Sequence, residues 1–183
     1  RESLKDMYTE ILKFWFDQAT PSQWWVKDAQ FDKLIISQFM AVHAQASRCE
    51  LYEWRTSAEG RLAEVIVLDQ FSRNMYRGSG QAFAHDALAL ALSQEAIFSG
   101  SDQALTAIQR SFLYMPFMHS ESLKIHELSI ALFESNGIAT NLEFALKHQA
   151  VIEQFGRYPH RNEALGREST TEEIEYIRTT PGF

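Results

Sequence analysis

Apolar residues recur at spacings of three and four along almost the whole chain, and no convincing run of alternation interrupts them. A helix returns a side chain to one face about every 3.6 residues and a strand every two, so this spacing admits helices and leaves no sheet. The fold class expected is all-α. Leu4, Met7, Ile11, Phe14 and Trp15 form a first stripe, opened by Ser3 with Asp6 in capping-box spacing and stopped by Pro21. Trp24 and Trp25 sit in a loop before a second helix, about residues 28–46, striped by Phe31, Leu34, Ile35, Phe39 and Val42. A short piece follows around residues 51–54. Gly60 then opens a helix over about 61–76, ended by Gly78 and Gly80, and the next spans about 82–98.

Residues 103–117 read as a helix with Pro116 near its end. His119 or Ser120 caps another that reaches about 135 and stops at Gly137. Thr140 or Asn141 opens a helix closed by Gly156 and Pro159. Ser169 and Thr170, each three residues before a glutamate, open a short last one. The connections are short and no linker or low-complexity stretch divides the chain. The expectation is one domain over 1–183, an irregular stack of antiparallel helix hairpins.

At 183 residues a sizeable core needs no staples. A net charge of −7 argues against a nucleic-acid partner and against a polybasic membrane surface. A single cysteine, Cys49, rules out an intramolecular disulfide and fits a cytoplasmic location. No apolar run approaches the roughly 20 residues that span a bilayer, and no segment reads as a signal peptide.

Val67-Leu68-Asp69-Gln70-Phe71-Ser72-Arg73 is nearly repeated as Val151-Ile152-Glu153-Gln154-Phe155-Gly156-Arg157. Packing constrains the apolar positions of a core helix and leaves its polar positions free, so a repeated acid, Gln and Arg ask for their own explanation. The offset is no multiple of the tetratricopeptide period of about 34 residues, so the copies do not announce a regular array. In each copy the acid and the arginine stand at i and i+4, where opposite charges attract. Asn74 and Arg77 follow the first copy; His160, Arg161, Asn162 and Arg167 follow the second. Arg73 and Arg77 repel at this spacing, which calls for an anion nearby.

A third cluster is His119-Ser120-Glu121, at an expected helix N-terminus that favours an anion. His148 shares a stripe with Ala145, Ile152 and Phe155. The candidate ligand-binding set is therefore Asp69, Gln70, Arg73, Asn74, Arg77, Arg157, His160, Arg161 and Asn162, reading a small anionic ligand or an acidic peptide. His148, His119 and Glu121 are the candidate catalytic groups. The same residues admit two other readings: a helical interaction module with a basic groove, or a buried ion-pair network that fixes the fold. No metal-ligand spacing, P-loop, dinucleotide fingerprint or nucleophile elbow is present, so no metal or cofactor is expected.

Three motifs are specific enough to carry a resemblance. They are Leu68-Asp69-Gln70-Phe71-Ser72-Arg73-Asn74-Met75-Tyr76-Arg77-Gly78, Pro116-Phe117-Met118-His119-Ser120-Glu121, and Phe155-Gly156-Arg157-Tyr158-Pro159-His160-Arg161-Asn162 with Leu165-Gly166-Arg167 after it. They resemble the bacterial domain-of-unknown-function family numbered 924, from Phe14-Trp15-Phe16 to Pro181-Gly182-Phe183. The resemblance implies an all-helical, tetratricopeptide-like, right-handed superhelical fold, and it implies no activity. Ser72 stands where the family pattern has proline and Met75 where it has isoleucine.

Overall fold

The computed structural model describes residues 3–183 apart from the side chain of Leu4, so that member of the first stripe lies outside the described residues. All regular structure among them is helical. Helix α1 (Leu4–Leu12) runs into a π-helical segment, Lys13–Gln18. A short α2 (Pro21–Trp25) and a long α3 (Ala29–Ser47) follow. Helix α4 (Ala58–Ile66) passes through a second π segment, Val67–Phe71, into a one-turn α5 (Ser72–Met75). Then come α6 (Asp86–Phe98), α7 (Ala107–His119), α8 (Leu123–Asn136), α9 (Ala139–Phe155) and α10 (Thr171–Thr179).

The rod made by α4 and its π segment is the axis of the molecule. Helices α1, α6 and α7 pack on α4, and α3 packs on the π segment, while α6 to α9 stack in sequence order. No residue from Leu62 to Ser72 is more than 6% exposed. A helix surrounded on every side is apolar all round except where a polar group has a partner waiting. Glu64, Asp69, Gln70 and Ser72 are the exceptions here. Glu64 takes a forked pair from Arg55 (2.7 and 2.8 Å), and Ser72 bonds the buried His43 ring at 2.8 Å.

Phe14, Trp15, Phe31, Phe39 and Phe71 interlock with centroids 4.9 to 6.1 Å apart, and Phe112 closes on Trp15 at 5.5 Å. This aromatic core accounts for much of the richness in phenylalanine. Among the described residues no helix is long and apolar enough to cross a membrane.

Several boundaries differ from those read in the sequence. The N-cap of α4 is Ser57, whose Oγ accepts from the Gly60 N–H. Gly60 lies inside the first turn, where a Cβ would collide with the Trp54 carbonyl. The tryptophan pair belongs to a helix, because Pro21 occupies its first position, where a missing N–H costs nothing. Helix α7 continues through Pro116 to His119, and α8 is capped by Ser122. His119 and Ser120 therefore end one helix and do not begin the next. The Ser3–Asp6 capping box, Gly137, Gly156 and the Thr170–Glu173 capping box act where the sequence placed them.

Candidate functional site

The π turn at Val67–Phe71 holds one residue more than an α turn, so it rotates everything after it by about 100° relative to an unbroken helix. Asp69 is fully buried there. Its carboxylate accepts from His119 Nδ1 (2.7 Å), Gln70 Nε2 (2.6 Å) and Arg73 Nη1 (3.3 Å). The Asp69 carbonyl also accepts from Arg73 Nη1, at 3.1 Å. Burial on its own would raise the Asp69 pKa. His119 and Arg73 outweigh it and hold the carboxyl below its usual range.

Arg73 reaches beyond Asp69 to the first residue of α6, giving Asp86 a fork of two bonds at 2.8 and 3.0 Å. Arg161 comes to the same acid from the other side, with Nη1 3.7 Å away, and donates from Nη2 to the His119 carbonyl at 3.0 Å. Its guanidinium lies between the rings of Phe83 and Tyr158, each 4.5 Å from the cation. Burial and the neighbouring Arg73 charge push the Arg161 pKa down to about 10, against the pull of Asp86 and Glu121. Of the three arginines that line the adjoining cavity, Arg161 is the one that no carboxylate holds in a fork.

These groups surround a cavity of about 240 Å³. Helix α2 closes it with Trp24 and Trp25, and α9 supplies His148 and Val151. Three imidazoles line it, of which His160 donates from Nε2 to the Thr180 carbonyl and His119 and His148 keep a free nitrogen. His119 is tied through Nδ1 to Asp69, and His148 through Nδ1 to the Phe144 carbonyl at 2.7 Å; neither Nε2 has a partner among the described residues. Burial, helped by Arg73, depresses the His119 pKa although Asp69 opposes it, and burial takes His148 down to about 3. Both rings are neutral at pH 7, each with an Nε2 lone pair available to a guest. The His119–Asp69 geometry is that of a base whose tautomer is fixed by a carboxylate behind it.

Of the residues named from sequence, Gln70, Arg73, Asn74, Arg77, His119, His148, His160 and Arg161 line this cavity, with Asp69 immediately behind. Arg77 and Asn74 are occupied by Asp32, at 2.9 and 3.1 Å from Arg77 and 2.8 Å from Asn74. The remaining three do not join them. Arg157 grips Glu173 (2.9 and 2.7 Å) and the Glu168 carbonyl (2.8 Å). Asn162 is buried between Ser169, Glu173 and Arg167. Glu121 takes a fork from Arg167 (2.8 and 3.1 Å) and the Tyr158 N–H (2.6 Å).

The two motif copies are therefore unlike in space. Gly156 ends α9 in the left-handed conformation (φ 73°), so Arg157 has left the helix and the expected pair with Glu153 does not form. Glu153 and Gln154 are exposed, whereas Asp69 and Gln70 are buried. Arg161, four residues after Arg157, is the arginine that meets Arg73.

Sequence reasoning missed Asp86, Phe83, Tyr158 and Phe183. Only Tyr158 had a signal, as an aromatic within the third motif. Asp86 is a lone acid at a helix start, ordinarily explained by the helix dipole. Among the described residues no group of three or more His, Cys, Asp or Glu is placed to hold a metal ion.

The fold is similar to the solved structure of the protein of unknown function ATU0120 from Agrobacterium tumefaciens, with a TM-score of 0.92 and 38% identity over 97% of this chain and 100% of that one. No curated protein matches the chain. A family model described as bacterial protein of unknown function matches residues 11–181, and the chain belongs to that family, DUF924.

Proposed function

We propose that the protein binds a small anionic organic molecule in this cavity and that His119, oriented by Asp69, acts on it as a base. One observation carries the reading: an imidazole Nε2 without a partner among the described residues and a guanidinium that no carboxylate holds in a fork, His119 and Arg161, line the same cavity. Arg161 supplies the charge that a carboxylate or phosphate meets, and its aromatic sandwich fixes the plane of its donors. The neutral His119 Nε2 accepts a proton from the guest, and the buried Asp69 carboxylate stabilises the imidazolium that forms. The size of the space supports a small molecule over an extended peptide, which needs a channel tens of Å long.

The test is calorimetric titration of acetate, succinate and inorganic phosphate into the wild type, Arg161→Gln and Arg48→Gln. Arg48 carries the same charge on the surface, paired with Glu50. Binding lost in Arg161→Gln and kept in Arg48→Gln supports the site. Equal binding by all three, or none by the wild type, sinks it.

A second reading has its own support. Arg73–Asp86, Arg77–Asp32, Arg157–Glu173 and Arg167–Glu121 are all forked pairs that tie separate segments together. For these arginines the structural role suffices; Arg161, which bonds the His119 carbonyl and stands 3.7 Å from Asp86, is the cavity arginine without a forked partner.

A further inference from the structure

The segment after α10 lies against the cavity it helps to line. Thr180 closes the helix, and its carbonyl accepts from His160 Nε2 at 2.8 Å. Gly182 sits so close to the His160 ring that an added Cβ would come within 3.0 Å of Cδ2. The phenyl ring of Phe183 then stacks on the His148 imidazole, centroids 3.7 Å apart and planes 22° apart, with Tyr158 edge-on at 6.3 Å. Phe183 is nevertheless 61% exposed. One hydrogen bond and these ring contacts hold this strap, and the residue at its end stays largely open to water.

We infer that Phe183 is an internal competitor: the strap Thr180–Phe183 occupies the subsite of a planar ring, and the guest that displaces it is an aromatic monocarboxylate. This rests on the reading of the cavity as an anion site and names the class of anion. The ring is argued from the stacked phenyl and from the aromatic wall that Trp24, Tyr158 and Tyr176 add to it. The single charge is argued from the cations. Arg73 and Arg77 are each held in a fork by an aspartate, and Lys27 lies at the exposed rim, which leaves Arg161 inside. A dianion would bring its second charge towards the half-buried Asp86 and the buried Asp69.

A strap that fills the ring subsite lowers the fraction of molecules competent to take a ring and weakens the apparent affinity for a ring-bearing guest by that fraction. Removing a stacked ring pair should therefore tighten binding by about three- to tenfold. The experiment titrates benzoate, acetate and inorganic phosphate into the wild type, Phe183→Ala and the double variant Phe183→Ala/Arg161→Gln. The His148 ring protons are followed by NMR at the same time.

The expected result is benzoate bound more tightly by Phe183→Ala than by the wild type, acetate unchanged, and benzoate lost in the double variant. Benzoate should also move the wild-type His148 signals towards their positions in Phe183→Ala. Benzoate affinity unchanged or weaker in Phe183→Ala overturns the strap. If acetate or phosphate binds through Arg161 while benzoate binds no better, the aromatic inference falls and the anion site stands. If no anion binds any variant, both fall.

Discussion

A neutral imidazole with one nitrogen held by a carboxylate is committed to a single tautomer. His119 donates from Nδ1 to the buried Asp69 at 2.7 Å, so Nε2 is the bare nitrogen that meets the cavity. Its pKa lies below 6.5 because burial and Arg73 disfavour the charged ring more than Asp69 favours it. Nitrogen-15 NMR should show the Nδ1–H tautomer at pH 7, persisting below pH 6.5 as the unfolded-like value is passed. Asp69→Asn should scramble the tautomers, since an amide can donate as well as accept. An Nε2–H tautomer in the wild type at pH 7 would remove His119 as a base. Asp69 and Glu153 stand at the same place in two near-identical heptapeptides, and only one of them reaches such a partner. Gly156, where the first copy has Ser72, separates the arginines; the acids differ by which helix the others surround.

At the scale of elements, the second motif acts as a clasp. Glu173 is 2% exposed in the first turn of α10 and takes bonds from Arg157, the Thr170 N–H and Asn162. Those bonds, the Arg157 fork foremost, hold its pKa down to about 2. Arg157→Ala leaves a buried carboxylate short of its main partner. Amide hydrogen exchange over Thr171–Thr179 should accelerate selectively, with α4 and α7 protected as before; unchanged protection in α10 would show the clasp to be idle. The helices themselves were legible in the sequence because caps and glycine stops are local chemistry, as at Ser3, Gly137 and Thr170. The π turns left no sequence signal. No cap or stop residue marks them, and the one at Val67–Phe71 sets the direction in which Arg73 leaves the rod. The strap is invisible for a similar reason: Pro181-Gly182-Phe183 reads as a loop, and only the position of His148 gives the ring a partner.

The whole molecule keeps His43, His119, His126 and His148 neutral in its interior, and in each of them burial is the largest cause of a lowered pKa. The values fall to about 4 for His43 and about 3 for His148. An unfolded chain protonates these rings near pH 6.5, so it binds protons that the folded chain refuses. The stability they support is complete above pH 6.5 and drains away as pH falls towards those folded values. His43 and His148 each cost about 1.4 kcal/mol per pH unit in that window. Carboxylates such as Asp69 and Glu173 add their loss only at lower pH, below about 4.5. Urea midpoints measured from pH 7.5 to 5 should therefore decline steeply from near 6.5, well before the acids begin to titrate. His43→Gln, which can keep the bond to Ser72 and cannot titrate, should flatten that decline by about one ring's share. A midpoint that stays level down to pH 5 would mean that water or local opening reaches these rings. The dry, neutral interior behind the cavity, on which a free His119 Nε2 depends, would then be lost.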